Sequence, residues 1–198
     1  MAKLILSLST PQNEVLDDLD EMQFGLMVKE KNEELARVFL DKGSDYQAIG
    51  QVFKRLMTKE GINTALVKDG SIVVYTLHKI EPNLVARCHV LTVLAAWSDP
   101  RGTDVGTVRS LILDHFLPVY SKVIDSSDIH RPPGKRMWYK LVEESLARKY
   151  YVYTLTVDKQ WIQIKELDQL SSIDDKVWGD QEEYKQARVY ISLKELKS

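Results

Sequence analysis

Cysteine is almost missing from this chain: Cys88 stands alone in 198 residues, so no internal disulfide can form and no cysteine-based zinc site can be assembled. A reducing, cytoplasmic compartment is therefore the expectation. The four histidines, His78, His89, His115 and His130, show no paired ligand spacing and no His-Glu-x-x-His helix, so no metal is expected either. Net charge is nearly absent at -2, which removes any global field that would draw the molecule onto nucleic acid or an anionic membrane. Long apolar runs are lacking as well. The stretch from Leu4 to Leu8 is far shorter than the roughly 20 residues of a membrane span and soon turns acidic, so it reads as the unprocessed start of a soluble protein. There is no repeat and no low-complexity tract, and the six prolines are dispersed, so nothing marks a linker between domains.

What is present has the balance of a packed fold, with 44% apolar and 28% charged residues. The acidic stretch Glu14 to Glu21 reads as a surface turn or short helix, and the alternation of Phe24, Leu26 and Val28 as a half-buried strand. Two helices are expected next. In the second, Tyr46, Ile49, Val52, Phe53, Leu56 and Met57 recur at three- and four-residue spacing, behind a Ser44 that caps the start and ahead of a terminating Gly61. Asp69-Gly70 between two apolar runs, Thr64 to Lys68 and Ser71 to Leu77, predicts a tight hairpin. The apolar stretch from Leu84 to Ala96 suits a central strand, or two strands joined by a short bend.

That strand leads into Asp99-Pro100-Arg101-Gly102-Thr103-Asp104-Val105-Gly106-Thr107, followed by a segment whose Val105, Val108, Leu111, Ile112 and Phe116 share one helical face. A loop of this kind can aim backbone N–H groups at an anion, glycine lets a phosphate approach closely, and Arg101 adds charge. The plainer reading is equally open: Gly102 turns the chain and Gly106 lets the helix pack against a neighbour. Pro118 is expected to end that helix, with Tyr120 to Asp125 a short strand. Ser126, Ser127 and Asp128 read either as turn formers or as a polar rim. A helix with Met137, Trp138, Leu141, Val142 and Leu146 on its apolar face follows, then an aromatic strand at Tyr150 to Val157.

Strand, Asp-Pro-Arg-Gly-x-x-Val-Gly, helix, strand, helix beginning Gly-Lys-Arg-Met-Trp-Tyr-Lys-Leu, strand: this order resembles the central half of GNAT N-acetyltransferases, and particularly the divergent GNAT-like proteins of bacteriophages. The likeness covers about Gln23 to Asp158. It implies an α+β fold with a GNAT-like mixed central sheet, helices on both faces and a C-terminal β extension, the core being 1–158 and the extension 159–198. It implies acetyl-CoA, or another acyl-CoA, as cofactor, held by Arg101, Gly102, Val105, Gly106 and Thr107. The family's first glycine position falls on Asp104, where a carboxylate repels a pyrophosphate. Its proton donor, usually a tyrosine on the later helix, falls locally on Trp138, with Tyr139 one position on as the catalytic candidate.

Two readings follow from the resemblance. One is an acetyl-CoA-dependent N-acyltransferase with a degenerate cofactor loop. The other is a catalytically inactive GNAT-fold structural or interaction protein with a protein partner, for example a component of a phage virion or of a host interaction, placed in the host cytoplasm or the virion. A weaker alternative is a nucleic-acid contact through the helix around Lys135, Arg136 and Lys140, since six Lys or Arg face two Glu between His130 and Tyr150. A solvated helix face explains the same charges. Downstream, Gln160 to Ile164 and Arg188 to Leu193 read as strands that add to the sheet edge or supply a protein interface.

Overall fold

The computed structural model describes residues 32–196 apart from 59, 60, 84, 85, 100, 103, 105, 122, 127–131, 180–183 and 185, and without the side chains of 121, 132 and 133. The acidic segment Glu14 to Glu21 and the strand expected at Phe24 to Val28 lie outside the described residues. The protein is α+β. Among the described residues, nine strands join in one mixed sheet in the order β1-β2-β3-β4-β5-β6-β9-β7-β8, and several helices accompany it. The chain divides into two compact units, 1–79 with 94–108, and 80–93 with 109–198.

In the first unit, α1 (Asn32–Lys42) has Glu33 and Glu34 in its first turn and Lys42 in its last, charges that suit the helix dipole. Leu35, Ala36 and Phe39 recur on one face and are buried against Ala65, Ile72 and Tyr75. Phe39 meets the Tyr75 ring edge to face, with centroids 6.1 Å apart. Asn32 fastens the helix start by donating from Nδ2 to the Ile72 carbonyl at 2.9 Å and accepting the Ile72 N–H.

The second expected helix is instead a hairpin, β1 (Ser44–Ala48) and β2 (Gln51–Met57), paired antiparallel from Ser44↔Arg55 to Ala48↔Gln51. Ile49 and Gly50 make the turn at φ 44° and 70°, both left-handed. The apolar spacing fitted a helix, but a helix would have carried Gly50 in its interior at a cost of about 1 kcal/mol. Cross-strand contacts favour the hairpin: Lys54 pairs with Asp45 at 2.6 Å, and Arg55 lies over the Tyr46 ring. Ser44, expected as a cap, donates its hydroxyl across the hairpin to the Arg55 carbonyl. Gly61 ends no helix, and the His78 carbonyl occupies the place its Cβ would take. The Asp69-Gly70 hairpin is as expected, joining β3 (Ile62–Lys68) and β4 (Ser71–Asn83).

After the turn at Ala86 and Arg87, β5 runs unbroken from Cys88 to Ser98 (Cys88–Ser98), so the apolar stretch is one strand, and Leu84 and Val85 lie outside the described residues. α2 (Thr107–Ser110) then continues as a π-helix (Leu111–Ser121).

In the second unit, β6 (Val123–Ser126) pairs parallel with β5 through Leu91↔Ile124 and Val93↔Ser126. Pro118 does not end the preceding helix, and Tyr120 is helical rather than the start of a strand. In wider i→i+5 turns the carbonyl four residues back is no longer aimed at the proline ring. Leu111, Ile112, Leu113, Phe116 and Leu117, all buried, hold the segment in place.

α3 (Pro132–Ala147) buries Trp138, Leu141 and Val142 as its pattern predicts. Arg148 pairs with both Asp114 and Glu144, and Arg109 with Glu144, which ties α3 to the preceding helix. β7 (Tyr151–Leu155) pairs antiparallel with β8 (Trp161–Ile164). The acidic stretch that follows folds as α4 (Leu167–Ser172) and α5 (Asp174–Val177). β9 (Arg188–Ser192) lies between β6 and β7 rather than at an edge, pairing Val123↔Ser192 on one side and Tyr151↔Ser192 on the other. Its Tyr190 packs on Trp161, which stacks on Tyr153 with centroids 5.1 Å apart.

Two predictions follow from these elements. A β-branched residue in the left-handed region is strained, so Ile49→Asn, which suits this turn, raises stability by about 0.5–1 kcal/mol in chemical denaturation; a loss would show that Ile49 contributes more by packing than it loses in strain. His78, fully buried on β4, has its pKa pushed down to about 3, chiefly by desolvation and despite a hydrogen bond with the Leu77 backbone. The unfolded chain takes up this proton near pH 6.5 and the folded one does not, so stability falls as pH drops from about 6.5 towards 4, by up to about 1.4 kcal/mol per unit. His78→Gln flattens that slope; an unchanged slope would exclude His78 as its source.

Candidate functional site

The loop after β5 is built from short polar contacts within the first unit. Asp99 donates its N–H to the Val73 carbonyl at 2.9 Å, which moors the loop to β4, and Gly102 donates to the Asp99 carbonyl at 3.1 Å, which closes a tight turn. The Asp99 carboxylate reaches forward to Arg101. It accepts the Arg101 N–H at 2.9 Å, Nε at 3.1 Å and Nη2 at 2.9 Å. Arg101 lowers the Asp99 pKa below the usual carboxylate range, by its side-chain hydrogen bonds first and its backbone bond second, and Asp99 raises that of Arg101 in return. The Arg101 side chain is 89% exposed, so solvent and salt screen the pair.

Gly102 is needed for close approach: a Cβ there would lie 2.7 Å from Val73 Cγ1. Its carbonyl accepts Lys68 Nζ at 3.1 Å. Gly106 enters the helix at φ 95°, a conformation natural to glycine. Thr107 turns both its N–H and its hydroxyl on the Asp104 carbonyl, at 3.2 and 2.8 Å. Asp104 is exposed. The structure thus gathers Arg101, Gly102, Gly106 and Thr107 into one turn and helix start, while Val105 and Thr103 lie outside the described residues. Asp99 and Lys68 are the partners that sequence reasoning missed. The signal for Asp99 was its type: an aspartate opening a turn bonds the backbone two residues on.

Tyr139 belongs to the second unit, on α3, and is half-buried. Its hydroxyl donates to Asp174 Oδ1 at 2.7 Å, and Lys135 Nζ donates to Asp174 Oδ2 at 2.5 Å. Burial first, and then Asp174, push its pKa up, which keeps the phenol protonated and docked on α5. Trp138, one residue back, is 1% exposed and is a core side chain. Of the basic residues on this helix and just after it, Lys135 faces Asp174, Lys140 faces Glu143, and Arg148 faces Asp114 and Glu144. Ser126 is buried in β6 and accepts the Val189 N–H at 2.9 Å, an internal rather than a rim position; Ser127 and Asp128 lie outside the described residues.

No family model and no curated protein matches this chain. Among the described residues, no cluster of three or more His, Cys, Asp or Glu is placed to hold a metal ion, and no helix is long and apolar enough to cross a membrane.

Gly102→Ala therefore destabilises the protein by about 1–3 kcal/mol, the range for overpacking a filled site, and Val73→Ala in the same chain recovers part of the loss; a double variant no better than Gly102→Ala alone would remove the close-approach account. Tyr139→Phe lowers stability by about 1 kcal/mol, the scale of a hydrogen bond, and Asp174→Asn in the same background adds less than it does alone, measured as a double-mutant cycle.

Proposed function

We propose that this is a GNAT-like protein that uses its fold for binding a protein partner rather than for acyl transfer. What carries the reading is the inward commitment of the loop: Arg101 donates to Asp99, Thr107 to the Asp104 carbonyl, and Lys68 to the Gly102 carbonyl. Donors spent within the loop are lost to a pyrophosphate, and the exposed Asp104 adds a negative charge beside the helix start. The candidate proton donor supports the same view, since Tyr139 is engaged with Asp174. For a bacteriophage-encoded chain, this role places it in the virion or in the host cytoplasm, in contact with a virion or host protein.

A second reading, an acetyl-CoA-dependent N-acyltransferase, has one observation in its favour. Strand, glycine-bearing loop and helix follow one another as the resemblance requires, with Gly106 at φ 95° where the helix begins. The loop leaves the carboxyl end of a strand that has a parallel neighbour, the place where open α/β sheets take ligands. In that reading Arg101, Gly102, Gly106 and Thr107 would hold the cofactor phosphates.

Isothermal titration separates the two. The binding reading expects no heat of acetyl-CoA binding at millimolar concentration, and none after Asp104→Gly. Saturable binding by the unaltered protein would replace it with the enzymatic reading.

A further inference from the structure

Among the described residues β8 is the last strand of the sheet, with β7 as its neighbour on one side and no strand on the other. The hairpin fixes which of its backbone groups point where. Thr156 donates its N–H to the Gln160 carbonyl at 3.1 Å, and from there the register runs Leu155↔Trp161, Thr154↔Ile162, Tyr153↔Gln163 and Val152↔Ile164. Facing residues of antiparallel strands alternate between hydrogen-bonded and non-hydrogen-bonded pairs. Ile162 and Ile164 therefore bond to β7, whereas Trp161, Gln163 and Lys165 turn their N–H and C=O groups to the outer edge. Lys165 agrees with this phase: its N–H is met there by Gln169 Oε1 of α4 at 2.7 Å, an oxygen that also accepts the Glu166 N–H. The edge is thus capped at its end, and at Trp161 and Gln163 it faces no strand. Its sequence, Trp-Ile-Gln-Ile, has Trp161 and Ile162 half-buried and Gln163 exposed, and an edge strand of this apolar kind is a template for another strand. β1, at the other end of the strand order, reads Ser-Asp-Tyr-Gln-Ala and is polar.

We propose that β8 pairs antiparallel with β8 of a second copy of this chain, centred on Gln163, so that the sheet continues from one copy into the other. A two-fold axis normal to the sheet leaves each side chain on its own face, so the axis must pass through a residue. The interior residues of β8 are Ile162 and Gln163. Centring on Ile162 sets Lys159 opposite Lys165, a like-charge pair that opposes the register. Centring on Gln163 sets Trp161 opposite Lys165, Ile162 opposite Ile164 and the two Gln163 amides opposite each other: a cation beside an aromatic ring, an apolar pair and a hydrogen-bonding pair. The backbone matches in the same register. The two Gln163 residues exchange N–H and C=O, and each Trp161 N–H meets the Lys165 carbonyl of the second copy while the Lys165 N–H stays on Gln169. This self-association goes beyond the function proposed above and is independent of acetyl-CoA.

Sedimentation equilibrium of the full chain from micromolar to millimolar concentration tests it, with a monomer–dimer equilibrium as the expected result. Gln163→Pro removes an N–H that points away from β7, a position where an edge strand accepts proline. It is expected to keep the circular dichroism of the unaltered protein and to weaken dimerisation at least about tenfold, the effect of losing two hydrogen bonds per dimer. Gln163→Cys in a Cys88→Ser chain leaves every backbone donor in place and keeps the test open should the proline variant not fold. Residues facing each other in a hydrogen-bonded antiparallel pair lie about 5.5 Å apart at Cα, within disulfide range, so mild oxidation is expected to link the two copies through residue 163. Ile162→Cys in the same background, facing Ile164, is expected to remain unlinked. A strictly monomeric protein, a dimer that a folded Gln163→Pro variant leaves unchanged, or a disulfide through residue 162 in place of 163 would overturn the proposal.

Discussion

Leu91, Thr92 and Val93 run parallel to Ile124, Asp125 and Ser126, and strands paired in parallel cannot be joined by a tight turn. The chain must leave the end of β5, cross over and return to the beginning of β6. Everything of functional interest near the loop follows from that constraint. The crossover contains the turn at Asp99 to Gly102, the helix start at Thr107, and the π-helical segment whose buried leucines and phenylalanine fix it. β9 completes the arrangement by pairing with β6 on its other side and with β7 beyond, so that it lies inside the sheet next to the crossover's landing strand.

A loop in this position has backbone donors that must go somewhere, because unpaired polar groups are unfavourable wherever water is excluded. Here they turn inward. Asp99 and the Asp104 carbonyl satisfy groups that an anion would otherwise meet, and Gly102 lies against Val73 with no room for a side chain. The two glycines therefore have structural reasons to be glycine that do not involve a ligand. The later helix follows the same principle: Tyr139, Lys135 and Asp174 satisfy one another, and the interaction joins α3 to α5.

How much of this could be read from sequence depended on whether one structure alone fitted the pattern. Asp69-Gly70 between two β-rich runs admits little but a hairpin, and the face of Trp138, Leu141 and Val142 little but a buried helix side; both were legible. Tyr46 to Met57 fits two periods, and Gly50, which a helix interior tolerates poorly and a turn accepts, decides for the hairpin. Pro118 breaks an α-helix but not the wider turns of this segment, which its local sequence does not signal. At the loop, the order of elements and the positions of Arg101 and Gly106 were legible, but the hydrogen bonds of Asp99 and Lys68 were not. Lys68 lies on a distant hairpin strand, and no local pattern reveals which carbonyl a lysine will find.

The central claim is the proposal that Arg101, Gly102 and Thr107, which among the described residues donate within the loop after β5, are not available to a nucleotide-bearing cofactor. Amide chemical shifts in isotopically labelled protein test this residue by residue during addition of acetyl-CoA. The account predicts that the Arg101, Gly102, Gly106 and Thr107 amides stay in place up to millimolar cofactor. Saturable shifts concentrated on those four amides would contradict it.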